Sequence, residues 1–322
     1  MTETHPASPA PRQPAEAAAG GPPVLFDRTL LKRRRERAAG EFDAFDFLHA
    51  RAAEDLVDRL TAVTRDFDTC LVLGGGGAVG RALKARPDAA GKLGRVIEAD
   101  LSPALAAQSA WSGVALDEEH LPIAEESVDL VLSCLSLHWT NDLVGALIQI
   151  NRALKPDGFF ACALLGGATL TELRQSLMAA ESELKGGVSP RVSPFADTVD
   201  MAGLLARAGF AMPVSDVDRV KARYANAFVL MRDLRKMGET SALKDRPRAP
   251  VAKSFFVRTA EIYSETFAEA DGKMPATFEI IHAAGWAPHP DQPKPKRPGS
   301  AQVRLAEALG VSERSAGEKA GG

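Results

Sequence analysis

Four consecutive glycines, Gly74 to Gly77, follow the apolar run Cys70-Leu71-Val72-Leu73, and Gly80 precedes the helix-forming stretch Arg81-Ala82-Leu83-Lys84. A strand that runs into glycine and then into helix brings backbone, not side chains, up to a ligand. Glycine suits that corner because a Cβ would hold the ligand away and because the turn can require positive φ. The helix start then offers unpaired N–H groups to a polar or anionic group. Taken alone, the same letters also describe a plain surface turn, so the rest of the chain must decide.

The downstream pattern alternates. Gly94 to Asp100 reads as a second strand, with a helix after Ser102-Pro103, and Val114-Ala115 reads as a short third strand. Ser127 to Cys134 is a near-continuous apolar run, as expected of a strand covered on both faces. A helix over 143–154, a turn at Lys155-Pro156-Asp157-Gly158 and a strand over 159–165 follow. Strands alternating with helices predict an α/β fold with a doubly wound parallel sheet, whose ligands bind at the carboxyl ends of the strands. The glycine corner, Asp100, Asp117-Glu118, His138-Trp139 and Gly166-Gly167 all fall at that edge. Asp100, 20 residues past Gly80, is placed to accept both ribose hydroxyls of a nucleoside; the plainer reading is a cap on the next helix.

Two cofactor classes compete. Gly75-x-Gly77-x-x-Gly80 with Asp100 matches the dinucleotide fingerprint of nicotinamide or flavin oxidoreductases. Against it, Asp117-Glu118-Glu119-His120-Leu121-Pro122, Ser127-Val128-Asp129-Leu130-Val131 and Leu154-Lys155-Pro156-Asp157-Gly158 resemble the successive motifs of class I S-adenosylmethionine-dependent methyltransferases. That resemblance implies a Rossmann-like seven-stranded sheet with its last strand antiparallel, here with added N-terminal helices. It implies that Gly74, Gly75, Gly76 and Gly80 hold the methionine part of S-adenosyl-L-methionine and Asp100 the ribose, and that Asp117 with Glu118 approaches the adenine. Leu101 and Ser133 complete the expected cofactor contacts. The match has two faults: Val72 stands where the family usually has an acid, and Ala78 where it has the third motif glycine.

A closer resemblance covers Phe26 to about Ala301. It rests on Phe26-Asp27-Arg28, the run from Leu135 to Asp142, Ala163 to Gly167, Ser189 to Phe195, Met231 to Glu239 and Gly299-Ser300-Ala301. These resemble the complex I assembly factor 5 family, arginine hydroxylases with a methyltransferase fold, and its alphaproteobacterial relatives. The resemblance implies an S-adenosylmethionine-binding protein that acts on an arginine of a respiratory complex I subunit, by hydroxylation. Malonyl-carrier-protein methyltransferases share the core motifs, so methyl transfer to a protein or small-molecule acceptor is the general expectation. A non-catalytic assembly chaperone is the third reading.

Methyl transfer needs alignment and exclusion of water more than an acid or base. His138 is the candidate base, Trp139 a candidate wall or sulfonium partner, and Asn141 and Asp142 candidates to orient a substrate. Packing and helix capping are the plainer readings of the same four residues. Hydroxylation would need an oxygen-activating centre. His120, His138 and His282 are too scattered in sequence to give the two-histidine-one-carboxylate spacing, so no metal is assigned.

The segment 1–23, rich in Ala, Pro and Gly, is expected to be disordered. Residues 24–66 should form a helical segment, 67–168 the cofactor-binding core and 169–290 the remainder of the sheet with its helical cover. Residues 291–322 should be a flexible tail with one weak helix over 301–309. Lys32 to Arg37 is expected to be the exposed basic face of a helix, either solvated or set against an acidic partner. A last strand over 275–286 is expected at the sheet edge, antiparallel to a strand over 214–224. A net charge of −3 gives no reason to expect nucleic-acid binding. Cys70, Cys134 and Cys162 all lie in apolar runs and read as small core residues. With no transmembrane or secretory pattern, a cytoplasmic protein is expected.

Overall fold

The computed structural model describes residues 24–193 and 198–292, together with residues 303, 307 and 310. The expected N-terminal tail, the weak helix over 301–309 and most of the C-terminal tail lie outside the described residues. Residues up to Pro288 form one unit and those from His289 a second. In the second, the His289 N–H donates to Gln292 Oε1 at 3.1 Å. No helix among the described residues is long and apolar enough to cross a membrane.

The chain begins with α1 (Arg28–Ala38), a 3-10 turn (Ala39–Ala44) and α2 (Phe47–Ala62). Then come β1 (Phe67–Gly74), α3 (Ala78–Ala85), α4 (Pro87–Ala90), β2 (Leu93–Asp100), α5 (Pro103–Ala106), β3 (Ser112–Ala115) and β4 (Val128–Cys134). α6 (Leu143–Ala153), β5 (Leu154–Leu165), α7 (Thr171–Lys185), α8 (Thr198–Arg207), β6 (Ala211–Tyr224), α9 (Ala227–Lys236), α10 (Lys253–Phe267) and β7 (Met274–Trp286) complete it. The strands form one seven-stranded sheet in the order β3-β2-β1-β4-β5-β7-β6. β1 to β5 pair in parallel, and β7 runs antiparallel to both β5 and β6.

One apolar layer packs α2, α3, α7, α9 and α10 on one face of the sheet, and another packs α6 and α8 on the opposite face. In α2, Leu48, Ala52, Ala53, Leu56, Val57 and Leu60 form a buried stripe at three- and four-residue spacing. Each fully buried leucine there contributes roughly 1.5–3 kcal/mol. The helix starts are specified locally: Asp27 accepts the Leu30 N–H of α1, Asp142 the Gly145 N–H of α6 and Asn226 the Val229 N–H of α9.

Two expectations need correction. β7 is not an edge strand; it lies between β5 and β6, and almost every one of its residues is buried. The edge is β6, whose alternating half-buried and exposed residues belong to a strand covered on one face. The stretch Lys155–Gly158 is not a free turn but the start of β5, where the register to β4 shifts. Asp157 takes a φ of +60° there, and Gly158 accepts the Ala287 N–H at 2.8 Å. The end of β7 therefore ties the stretch into the sheet.

Candidate active site

The glycine corner stands at the carboxyl end of β1, with every residue from Gly74 to Gly77 at positive φ. At Gly76, φ is +54° and a Cβ would meet the Phe42 ring at 2.6 Å. Phe42, fully buried in the turn after α1, thus lies directly on the glycine loop. Gly80 sits inside α3, where a Cβ would strike the Glu98 carboxylate at 2.4 Å. Glu98 accepts the Gly80 N–H at 2.8 Å, the Ser109 hydroxyl at 2.6 Å and the Ala110 N–H at 3.0 Å. Val72 pairs with Glu98 in the parallel register. The carboxylate missing from β1 is therefore present one strand over, holding the start of α3 against the loop before β3.

The acids at the ends of β2 and β3 face α1. Arg35 donates to Asp100 through Nε at 3.2 Å and through Nη2 at 2.8 Å, with both side chains 3% exposed. Asp100 Oδ1 also accepts the Ser102 N–H at 2.9 Å. Arg28 donates to Asp117 Oδ1 and to Glu118 Oε2, each at 2.5 Å. Residues seven apart share one face of a helix, so α1 turns both guanidinium groups onto the sheet edge. Burial opposes the charge of Arg35, but Asp100 and Glu239 outweigh it and raise its pKa. Arg28 is raised in the same way, Glu118 and Asp117 overcoming burial. The expected exposed basic face is thus only part of the helix: Lys32, Arg33 and Arg37 are exposed, Arg34 is half-buried and Arg35 is buried.

Glu239, just past α9, was not singled out from the sequence as a site residue. Its carboxylate is buried among groups distant in sequence. It accepts the Trp139 indole N–H at 3.0 Å and lies 3.3 Å from His138 Nε2, 3.4 Å from His49 Nε2 and 3.6 Å from Arg35 Nη1. His138 Nδ1 accepts the Leu165 N–H at 3.4 Å, which puts the ring proton on Nε2, facing Glu239. Burial lowers the His138 pKa, so the ring is neutral. It acts as a donor to Glu239 with both nitrogens turned inward. Burial pushes Glu239 up, but its interactions with His138 and His49 outweigh this and hold the carboxyl well below the usual range. Two histidines and one carboxylate do meet here, yet as a hydrogen-bonded cluster with an arginine beside it. Among the described residues, Asp117, Glu119 and His120 bring a ligand atom each within 4.8 Å of one another. There Asp117 is paired with Arg28, and Glu119 accepts the Asn141 N–H.

The other expected site residues have internal partners. Asn141 accepts the Phe26 N–H at 2.7 Å and donates to the Phe26 carbonyl at 3.4 Å, which fixes the entry to α1. Asp142 caps α6. Ser133 lies 3.2 Å from Ser136, hydroxyl to hydroxyl, and Leu101 packs with Phe26, Leu31 and Trp139. Beyond the wall made by Trp139 and Glu239 lies a cavity of about 280 Å3. Its apolar lining includes Leu173, Met231 and Phe256, and Arg34, Arg191, Arg235 and Arg246 line it too. The Arg34 pKa is lowered by burial and by the nearness of Arg246, Arg37 and Arg235.

The chemistry of the set suits a nucleoside cofactor: carboxylates at the ends of the neighbouring strands β3 and β2, and an open-backbone glycine turn at the end of β1 beside them. In this structure Arg35, Arg28 and Phe42 lie on those same groups.

Comparison with known proteins agrees with this geometry. Residues 71–162 match the methyltransferase domain family model. The chain is 39% identical over 290 residues to "Arginine-hydroxylase NDUFAF5, mitochondrial" of Danio rerio, covering 88% of this chain and 89% of that protein. The protein of the same name from Homo sapiens is 38% identical, over 88% of this chain and 83% of its own length. A malonyl-[acyl-carrier protein] O-methyltransferase of Methylovorus is 34% identical, over 82% of this chain and 90% of its own.

Proposed function

Because the chain belongs to the methyltransferase-fold family that includes the NDUFAF5 arginine hydroxylases, we propose that it binds S-adenosyl-L-methionine and modifies an arginine of a respiratory complex I subunit. The observation that carries this reading is the extent of the similarity. It spans 88% of the chain, well beyond the matched domain at 71–162. It therefore extends into the flanking segments that supply parts of this site, such as α1 and Glu239.

On this reading Asp100 accepts the ribose hydroxyls, Asp117 and Glu118 border the adenine, and the Gly74–Gly77 backbone admits the methionine part. The cofactor supplies an activated methyl group on a sulfonium when it is bound. The chain's own residues do the rest. Trp139 closes the side toward the cavity, and His138 keeps Glu239 ionised and oriented. The buried carboxylates of Asp100 and Glu239 already hold one guanidinium, that of Arg35, away from water. Arginine recognition is thus within the chemistry of the site.

A second reading has its own observation. The four arginines lining the cavity favour an anionic acceptor, as in methyl transfer to a malonyl carrier. Peptide mass spectrometry of complex I subunits from cells with and without the gene separates the two. Loss of one oxygen from an arginine in the deletion strain establishes hydroxylation. Loss of a methyl group establishes protein methylation. Unchanged subunits refute the complex I reading and leave the anionic acceptor.

A further inference from the structure

We propose that Arg35 is a two-position residue of the cofactor site, seated on Asp100 in this structure and moving onto Glu239 when a nucleoside takes Asp100. The inference rests on the cofactor reading above. A carboxylate offers about four acceptor sites. Asp100 already spends three of them, two on Arg35 and one on the Ser102 N–H. The one left cannot serve both hydroxyls of a ribose. Arg35 must give up its two for the sugar to bind.

A buried guanidinium cannot leave one carboxylate without a second partner, because an uncompensated buried charge is strongly destabilising. The fold supplies that partner. Glu239 Oε1 is buried, lies 3.4 Å from His49 Nε2 and 3.6 Å from Arg35 Nη1, and so already stands within ion-pair distance of the guanidinium. Its other oxygen is held by Trp139 and His138, so the carboxylate stays in place as the guanidinium turns toward it. The shift is short and strands no charge. Phe42 on Gly76 and Arg28 on Asp117 and Glu118 belong to the same N-terminal segment, so the move of Arg35 is coupled to loosening of α1 over the cofactor edge.

The test is a double-mutant cycle read by calorimetric binding of S-adenosylhomocysteine. Glu239→Gln removes the charged second seat and should weaken binding at least about tenfold, since Arg35 then resists leaving Asp100. Arg35→Gln removes the competitor and should bind as well as the wild type or tighter. The Arg35→Gln/Glu239→Gln pair should recover the loss to within about threefold of the wild type. Binding of Glu239→Gln at wild-type strength, or a double variant as weak as Glu239→Gln, overturns the exchange while leaving the cofactor reading intact. No binding by the wild type or by Arg35→Gln overturns the cofactor reading and the exchange with it. Should Glu239→Gln fail to fold, arginine Nε–H resonances of the wild-type protein give an independent readout, with Arg35 assigned through Arg35→Lys. The Arg35 signal must move on addition of S-adenosylhomocysteine; an unmoved signal with the ligand bound refutes the proposal.

Discussion

Replacing Gly76 by alanine should destabilise the protein far more than a one-methyl change on a loop ordinarily does. Two terms add. The residue sits at φ +54° and ψ 38°, and the left-handed region costs an alanine about 1–2 kcal/mol. The new methyl would lie 2.6, 2.8 and 3.1 Å from three carbons of the Phe42 ring. That ring cannot simply swing away: it is fully buried and meets His49 edge-on at a centroid distance of 4.9 Å. Overpacking of this kind costs about 1–3 kcal/mol. The sum is roughly 2–5 kcal/mol, read as a fall in the urea midpoint at unchanged slope. The cycle with Phe42→Ala separates the terms. Phe42→Ala alone should cost about 3–5 kcal/mol. With the ring gone, the alanine at 76 should show only its backbone term, so the pair falls short of additivity by about 1–3 kcal/mol. A Gly76→Ala protein within about 0.5 kcal/mol of the wild type, or an additive cycle, would refute the claim that Phe42 packs on the glycine loop.

Three further outcomes follow from the described contacts. Glu98→Ala should cost at least about 2 kcal/mol by urea unfolding, because it leaves the Gly80 N–H, the Ser109 hydroxyl and the Ala110 N–H without their acceptor. Asn141→Ala should release Phe26 and speed limited proteolysis near α1, with a stability loss of about 1–2 kcal/mol. Stability should fall on acidification in two stages, tracked as urea midpoint against pH. His138 is neutral when folded, with its pKa below the ordinary 6.5, so the unfolded chain takes up its proton first as pH drops through that value. Glu239, held below the ordinary 4.5, adds stability that is complete above that pH and is lost further down. Other carboxylates, Glu181 and Asp27 among them, are also held low and share the lower stage, so Glu239→Gln should shrink it, and a pH profile identical to the wild type would count against an ionised Glu239.

Much of this architecture was legible because it depends on local signals. Apolar strands, the glycine corner, the Asp142 cap and the acids at strand ends are all written in consecutive residues. What resisted reading depends on contacts across the chain. Arg35 looks like its neighbours Arg33 and Arg34, and only the turn of α1 buries it against Asp100. Glu239 lies 101 residues from His138, and no spacing rule joins them. The edge assignment of β7 was readable in principle. Its near-continuous apolar run, set against the alternation Val214-Ser215-Asp216-Val217-Asp218 in β6, marks which strand is covered on both faces. Chain order, a weaker guide in mixed sheets, pointed the other way.

The insertion of β7 between β5 and β6 also sets the order in which the molecule can be completed during synthesis. β5 has emerged by Leu165 and β6 by Tyr224, yet the strand that joins them ends only at Trp286. Until then β5 has one open edge, and β6 has no partner in this sheet. Open strand edges template pairing with other chains. A stop anywhere between Tyr224 and Met274 would leave this hazard permanently, whatever the state of the cofactor edge, so truncation products of that length should aggregate rather than persist as partial domains.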